Sequence, residues 1–259
     1  MTQTTLPNSL AISEHPHRLI AKRVFKTEET TSTNEIMLKD PNKIFQSGDV
    51  LWSLKQNEGR GRYQRTWISN KGGLYFSLLF EDITSLTAFF PFILLIALAI
   101  RNNLAEKTHD DFFTIKWPND IYADHHKIGG ILVQSQTILN KTRAVAGVGI
   151  NINNTIQSVR NLRNPAVSLY ELTGDETDLN VFFKALLDKT DEYYRDFIHG
   201  KFPEYLPILN QHLYSRNEPT IFSIGNSQRI VTPKEFTKDG HIVCDEGGES
   251  AIFVMGEFI

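Results

Sequence analysis

The sequence predicts an α+β protein, a larger mixed domain followed by a small all-β module. Three observations carry that expectation. Short apolar, strand-like runs recur between residues 23 and 153. Two stretches, 86–100 and 178–213, are patterned as helices. Beyond residue 214 only short strand-like runs remain, punctuated by Gly225-Asn226, Asp239-Gly240 and Gly247-Gly248.

In chain order, 23–27 reads as a strand. A helix starts at TTSTNEIML, where Ser32 and Glu35 have the spacing of a capping box. Residues 49–56 and 72–80 read as strands, the second with Leu and Phe suited to a buried face. LTAFFPFILLIALAI, 86–100, is shorter than the roughly 20 apolar residues of a bilayer span and contains Pro91. It therefore predicts a buried helix with Pro91 in its first turn and Ser85 or Thr87 near its start. FFTIKWPNDIYA and KIGGILVQSQT read as a hairpin turning at Asp124, His125 and His126, and 143–153 as a further strand. From Asp178 to about Leu213, apolar residues such as Phe182, Phe183, Leu186 and Leu187 recur at helical intervals. TIFSI, QRIVTP, KEFT, HIVCDE and AIFVMGEFI read as strands of the terminal module.

The 259 residues suit one large domain with a small appendage, divided here as 1–213, with 1–20 an N-terminal extension, and 214–259. A net charge of −3 without a long basic run argues against a general polyanion binder. Cys244 is the only cysteine, which excludes an intrachain disulfide and a Cys-based zinc site and fits a reducing, cytoplasmic setting. The first twenty residues lack the basic start and apolar core of a signal peptide. No membrane partner is expected.

GRGRYQRTW (59–67) is the stretch with the most chemistry. Gly59 and Gly61 let backbone approach a ligand closely. Arg60, Arg62 and Arg65 carry forks suited to carboxylate or phosphate, and Trp67 offers a face to a planar base. A solvated loop with a core tryptophan is the plain alternative; three arginines directly after a strand favour an anion site. In IKWPND the proline interrupts a strand, which would expose Lys116, Asn119 and Asp120. Lys127 opens KIGGIL, where Gly129 and Gly130 mark close approach of a ligand or of backbone. GVGININ has a GxG but no third glycine and no helix after it, so it is no dinucleotide fingerprint. A phosphate-binding GxxxxGK[ST], a GxSxG elbow and an HExxH motif are also missing from the sequence.

Taken together, STN (32–34), QNEGRGRYQRTW (56–67), KWPND (116–120), KIGGILVQ (127–134) and GVGININ (147–153) resemble biotin–protein ligases in order and spacing. The resemblance runs from about residue 24 to the C-terminus. It implies a mixed-sheet catalytic domain flanked by helices and a C-terminal SH3-like β-barrel. It also implies joining of biotin to ATP as biotinyl-5′-AMP and transfer to a lysine of a biotin carboxyl carrier protein. By resemblance, Ser32, Thr33, Gln56, Gly59, Arg60 and Gly130 bind biotin. Arg62, Arg65, Trp67, Asn119, Lys127 and Asn151 bind the nucleotide. Lys127, Arg62 and Asp120 act in catalysis, with Mg²⁺ carried mainly by ATP and Asp120 its one candidate protein contact. Relatives often pair through a sheet edge, so a homodimer is a further expectation. About twenty residues precede the first predicted strand, too few for the DNA-binding module some relatives carry, and no nucleic-acid partner is expected. Position 64 carries Gln where the family commonly has Gly or Asn.

Three rival readings fit the residues less well. Lipoate–protein ligases share the acyl-adenylate chemistry but carry an RRxSGGG-type stretch absent here. A nucleic-acid module lacks its basic-aromatic interleaving. A catalytically dead biotin sensor is disfavoured by the intact Lys127 and arginine loop.

Overall fold

The computed structural model describes residues 10–40, 43–81, 83, 86–108, 112–138, 141–156 and 165–259. One eight-stranded sheet runs in the order β1 (Ala11–Glu14), β2 (Arg23–Thr27), β3 (Val50–Ser53), β4 (Leu74–Glu81), β8 (Lys141–Ile150), β7 (His126–Ile138), β6 (Asp120–Ala123), β5 (Phe113–Lys116). It is mixed: β2 and β3 are parallel, and every other pair is antiparallel.

Alternation along these strands divides the core between two faces. Val50, Trp52, Leu78 and Phe80 join the larger cluster with α2 (Leu86–Ala105) and α4 (Leu179–Ile198). Leu51 and Leu79, one residue out of phase, join Phe25, Ile36, Met37 and Val145 beneath α1 (Thr33–Lys39). Each large side chain so buried contributes about 1.5–3 kcal/mol. Aromatic contacts tie α4 to the sheet and to α2, with Phe183 4.6 Å from Trp52 and Phe92 stacked on Phe197 at 5.4 Å.

Several helix expectations need correction. In α2, Pro91 lies beyond the first turn, because the helix begins at Leu86 and runs past the apolar stretch to Ala105. Ser85 lies outside the described residues. Residues 87–105 are apolar and long enough to cross a bilayer, yet 83% of that window is buried inside the fold, which makes this a core helix. At α1, Ser32 caps through Glu35 N–H, but the Glu35 carboxylate pairs with Lys39. A short α3 (Leu169–Thr173), closed by the Ser168–Glu171 capping box, had no long periodic pattern to announce it.

The N-terminal stretch is also more structured than a simple extension. Ala11–Glu14 pairs antiparallel with β2, and the backbone amides of Leu19 and Ile20 donate to Asp191 of α4 at 2.6 and 2.8 Å.

After α5 (Leu206–Gln211), a second, antiparallel sheet has the order β12 (Glu249–Phe253), β11 (Ile242–Glu246), β10 (Ser227–Phe236), β9 (Thr220–Ile224), β13 (Glu257–Phe258). QRIVTP and KEFT, expected as two strands, form the single β10; a bulge between Pro233 and Glu235 absorbs the proline. This sheet docks on the larger one where Trp117 Nε1 donates to the Gly240 carbonyl at 3.1 Å.

Candidate functional site

Where the N-terminus of α1 meets β7 and β8, a cavity of about 520 Å³ opens under the 59–67 loop. Of the residues given a role by resemblance, it gathers Ser32, Thr33, Gln56, Arg60, Arg62, Arg65, Trp67, Asn119, Asp120, Lys127, Gly130 and Asn151. Gly59 is the exception. It lies behind the wall, where a Cβ would sit 2.4 Å from the Trp67 carbonyl oxygen and 2.6 Å from Ser69 Oγ.

Uncharged polar groups make the floor. Thr33 donates to Gln56 Oε1 through its backbone N–H (2.8 Å) and its hydroxyl (3.0 Å). Ser77 Oγ stands 2.7 Å from Thr33 Oγ1 and 2.6 Å from Asn34 Oδ1, while Asn34 Nδ2 donates to Gln134 Oε1 at 2.9 Å. Asn34 and Gln134 belong to the STN and KIGGILVQ motifs without an assigned role, and nothing in the sequence marks Ser77 as part of the site. Buried hydrogen-bonded groups of this kind hold their geometry and present fixed donors and acceptors to a ligand.

The glycines of GVGININ now have a physical reason. A Cβ on Gly147 would lie 2.1 Å from Asn34 Oδ1, and one on Gly149 2.6 Å from Trp67 Nε1 and Cε2. Bare β8 backbone thus seats both the floor and the indole. Asn151, at the end of the same run, is 4% exposed, donates to the Val167 carbonyl at 3.3 Å and accepts from Asn154 at 3.1 Å.

The cationic wall comes from the KWPND hairpin and the start of β7. KWPND is a reversal between β5 and β6 and not a break in one strand; Lys116 pairs with Asp120 across it. A register shift between Ile121 and Tyr122 then brings Lys127 opposite Tyr122, a bulge that re-aims the lysine. Lys127 Nζ lies 2.7 Å from Asp120 Oδ2 and 5.3 Å from the Trp67 ring centre. Gly130 leaves room for that pair, since its Cβ would stand 2.9 Å from Asp120 Oδ1. Asp120 Oδ1 itself is buried without a hydrogen-bond partner.

Lys116 is the main surprise of this hairpin. It was expected to be exposed, yet is 6% exposed, because it packs over the rings of Tyr122 (4.5 Å) and Tyr214 (4.8 Å). Burial lowers its pKa, and the nearby Asp120 only partly opposes this. A lysine with a depressed folded pKa costs stability wherever both states are protonated. That cost is relieved as pH rises from the folded pKa towards the ordinary value of 10.5. Lys116→Met is therefore expected to raise the unfolding free energy at pH 7 by about 1 kcal/mol, a gain that shrinks as pH rises towards the ordinary lysine value of 10.5. Denaturant melts at the two pH values check it.

The arginine loop is tied to the terminal module. Arg65 Nη1 and Nη2 donate to Glu257 at 3.1 and 2.5 Å, and Arg62 reaches the Gly256 carbonyl (3.3 Å) and Asn119 Oδ1 (3.3 Å). Tyr63 and Gln64 both have positive φ, 56° and 59°. That region costs ordinary residues about 1–2 kcal/mol, a physical reason why the family resemblance implies Gly or Asn at position 64. Here the two guanidinium groups flank the Tyr63 ring at 5.0 and 5.1 Å and brace the turn.

A neutral floor, a cationic wall and an indole face under an arginine loop define a class of site: one that seats an uncharged polar group beside an anion and a planar base. Residues 26–151 match the Biotin/lipoate A/B protein ligase family. The chain is 31% identical over 235 residues to the bifunctional ligase/repressor BirA of Escherichia coli, covering 87% of this chain and 70% of that one. It is also 31% identical over 177 residues to BirA of Bacillus subtilis, where the match spans 67% of this chain but only 54% of the relative's length. Among solved structures, biotin protein ligase from Aquifex aeolicus in complex with biotin and ATP superposes with a TM-score of 0.78 at 26% identity, covering 91% of this chain and 97% of that one. The chain belongs to the biotin–protein ligase family.

Proposed function

We propose that this protein is an ATP-dependent ligase that activates biotin as biotinyl-5′-AMP and transfers it to a lysine of a biotin carboxyl carrier protein. The observation that carries this reading is the meeting of the Thr33–Gln56 floor, the Lys127–Asp120 pair and Trp67 in one cavity. The Aquifex relative holds both biotin and ATP in the same fold.

In the first step a biotin carboxylate oxygen attacks the α-phosphorus; the acyl–phosphate bond forms and pyrophosphate leaves. Two anions must approach, so fixed cations in a site that sheds water lower the barrier. Lys127, Arg62 and Arg65 supply them. Ser32, Thr33 and Gln56 orient the uncharged head of the acid, Trp67 stacks on the base, and Asn119 and Asn151 contact the nucleotide. In the second step the acceptor amine attacks the acyl carbonyl, AMP departs and an amide forms. On this reading Asp120 receives the proton that the amine must lose, which the unpartnered, buried Oδ1 supports.

The residues also fit Mg²⁺ arriving on ATP, an ion that keeps waters and uses one or two carboxylates. Asp120 would hold it, and no cluster of three acidic, His or Cys side chains exists among the described residues. When bound, the ion would neutralise phosphate charge. A reducing cytoplasmic setting and a sheet-edge homodimer remain parts of the same reading.

ATP–pyrophosphate exchange by purified protein with Mg²⁺ tests the first step. Exchange that depends on biotin is the expected result. Exchange with lipoate alone would replace the substrate, and silence with every acid would overturn the ligase reading.

A further inference from the structure

Ser69 lies just outside the cavity wall, 3% exposed, at a junction between groups that line it. Gln56 Nε2 donates to Ser69 Oγ at 3.0 Å, and Ser69 Oγ donates to the Trp67 carbonyl at 3.2 Å. The Gln56 backbone N–H also reaches the Ser69 carbonyl, at 3.1 Å.

The direction of this chain is set by donor counting. Gln56 Oε1 already accepts two bonds from Thr33, so its amide NH₂ must face Ser69. Ser69 accepts that bond and sends its single proton to Trp67. The relay also requires a bare position 59, because any Cβ there would strike both Ser69 Oγ and the Trp67 carbonyl.

We propose that Ser69 is a positioning residue that couples the two halves of the cavity, so that an acid held by Thr33 and Gln56 fixes the Trp67 face for the nucleotide base. The identity of the two ligands rests on the ligase reading above. A ligand that immobilises Gln56 stiffens Ser69 and, through it, the backbone that carries the indole. The second ligand then loses less conformational freedom on binding, which is positive coupling without a large movement. By linkage the effect is reciprocal, and couplings of this kind are typically about 5–150-fold.

Calorimetry on the full chain tests the relay: biotin affinity with and without a non-hydrolysable ATP analogue, in wild type, Ser69→Ala and Ser69→Thr. In wild type the analogue is expected to tighten biotin by at least about fivefold. Ser69→Ala should bring that factor to within about twofold while each ligand alone binds within about threefold of wild type, and Ser69→Thr should restore it. A merely structural role would weaken each ligand alone and leave the ratio intact. Wild-type coupling in Ser69→Ala, or no coupling in the wild type, overturns the relay; failure of the wild type to bind biotin at all overturns the ligase reading and the relay with it. Should Ser69→Ala melt too low to assay, amide exchange at 67–69 in the wild type, away from the residues assigned to biotin, decides. Protection by biotin alone supports the relay, and unchanged exchange overturns it.

Discussion

Lys127→Met is expected to cut biotin-dependent pyrophosphate exchange by about 10²–10³-fold while changing biotin binding much less. Charge accumulates at the α-phosphorus only as the two anions meet, so a cation poised there acts mainly on the transition state. Lys127 is the ammonium between Asp120, at 2.7 Å, and the Trp67 face, at 5.3 Å, which on the proposed ligase reading is where acid and nucleotide join. Its loss has a second effect, because Asp120 would stand unpaired beside incoming phosphates. Lys127→Met combined with Asp120→Asn separates the two terms. Recovery of exchange in the double variant would assign the defect to the bare carboxylate; continued loss, where Asp120→Asn alone keeps exchange, assigns it to the missing cation. A fall in biotin affinity as large as the fall in exchange would instead show that Lys127 merely holds the site together.

How far the residues announced this arrangement depends on the kind of interaction involved. β2 and β9 fall on the expected residues because alternation and turn chemistry are local. The arginines and Lys127 were legible because charge beside glycine in apolar surroundings has no packing reason, whereas KWPND showed only as an interrupted strand and is in fact the turn between β5 and β6. Lys116 was misjudged because its tyrosine cage includes Tyr214, far along the chain. Ser69, Ser77 and Gln134 are ordinary polar residues whose burial only the tertiary structure creates. Gly147 and Gly149 showed as a pattern without a purpose, since the atoms they admit belong to α1 and to the loop. Glu257 was hidden most deeply, 192 positions from its partner Arg65.

That distant pair gives the second large effect. Glu257→Gln is expected to speed release of the biotinyl adenylate by about tenfold. On the proposed ligase reading the mixed anhydride must be kept from water and stray amines, and a loop closed by its arginines would do so. In this structure the closure is made partly by the terminal module, through the Arg65–Glu257 fork and the Gly256 carbonyl that receives Arg62. Breaking one side of a half-buried charged fork costs about 1–2 kcal/mol, less than a fully buried pair because Arg65 still reaches solvent. Glutamine keeps the shape and one acceptor but removes the charge that also holds the Arg65 pKa up. Stopped-flow displacement of the adenylate measures the rate. Slower release, with tighter ATP binding, would carry the opposite meaning: Glu257 would then be a carboxylate that occupies Arg65 until phosphate arrives, and removing it would free the arginine for its ligand.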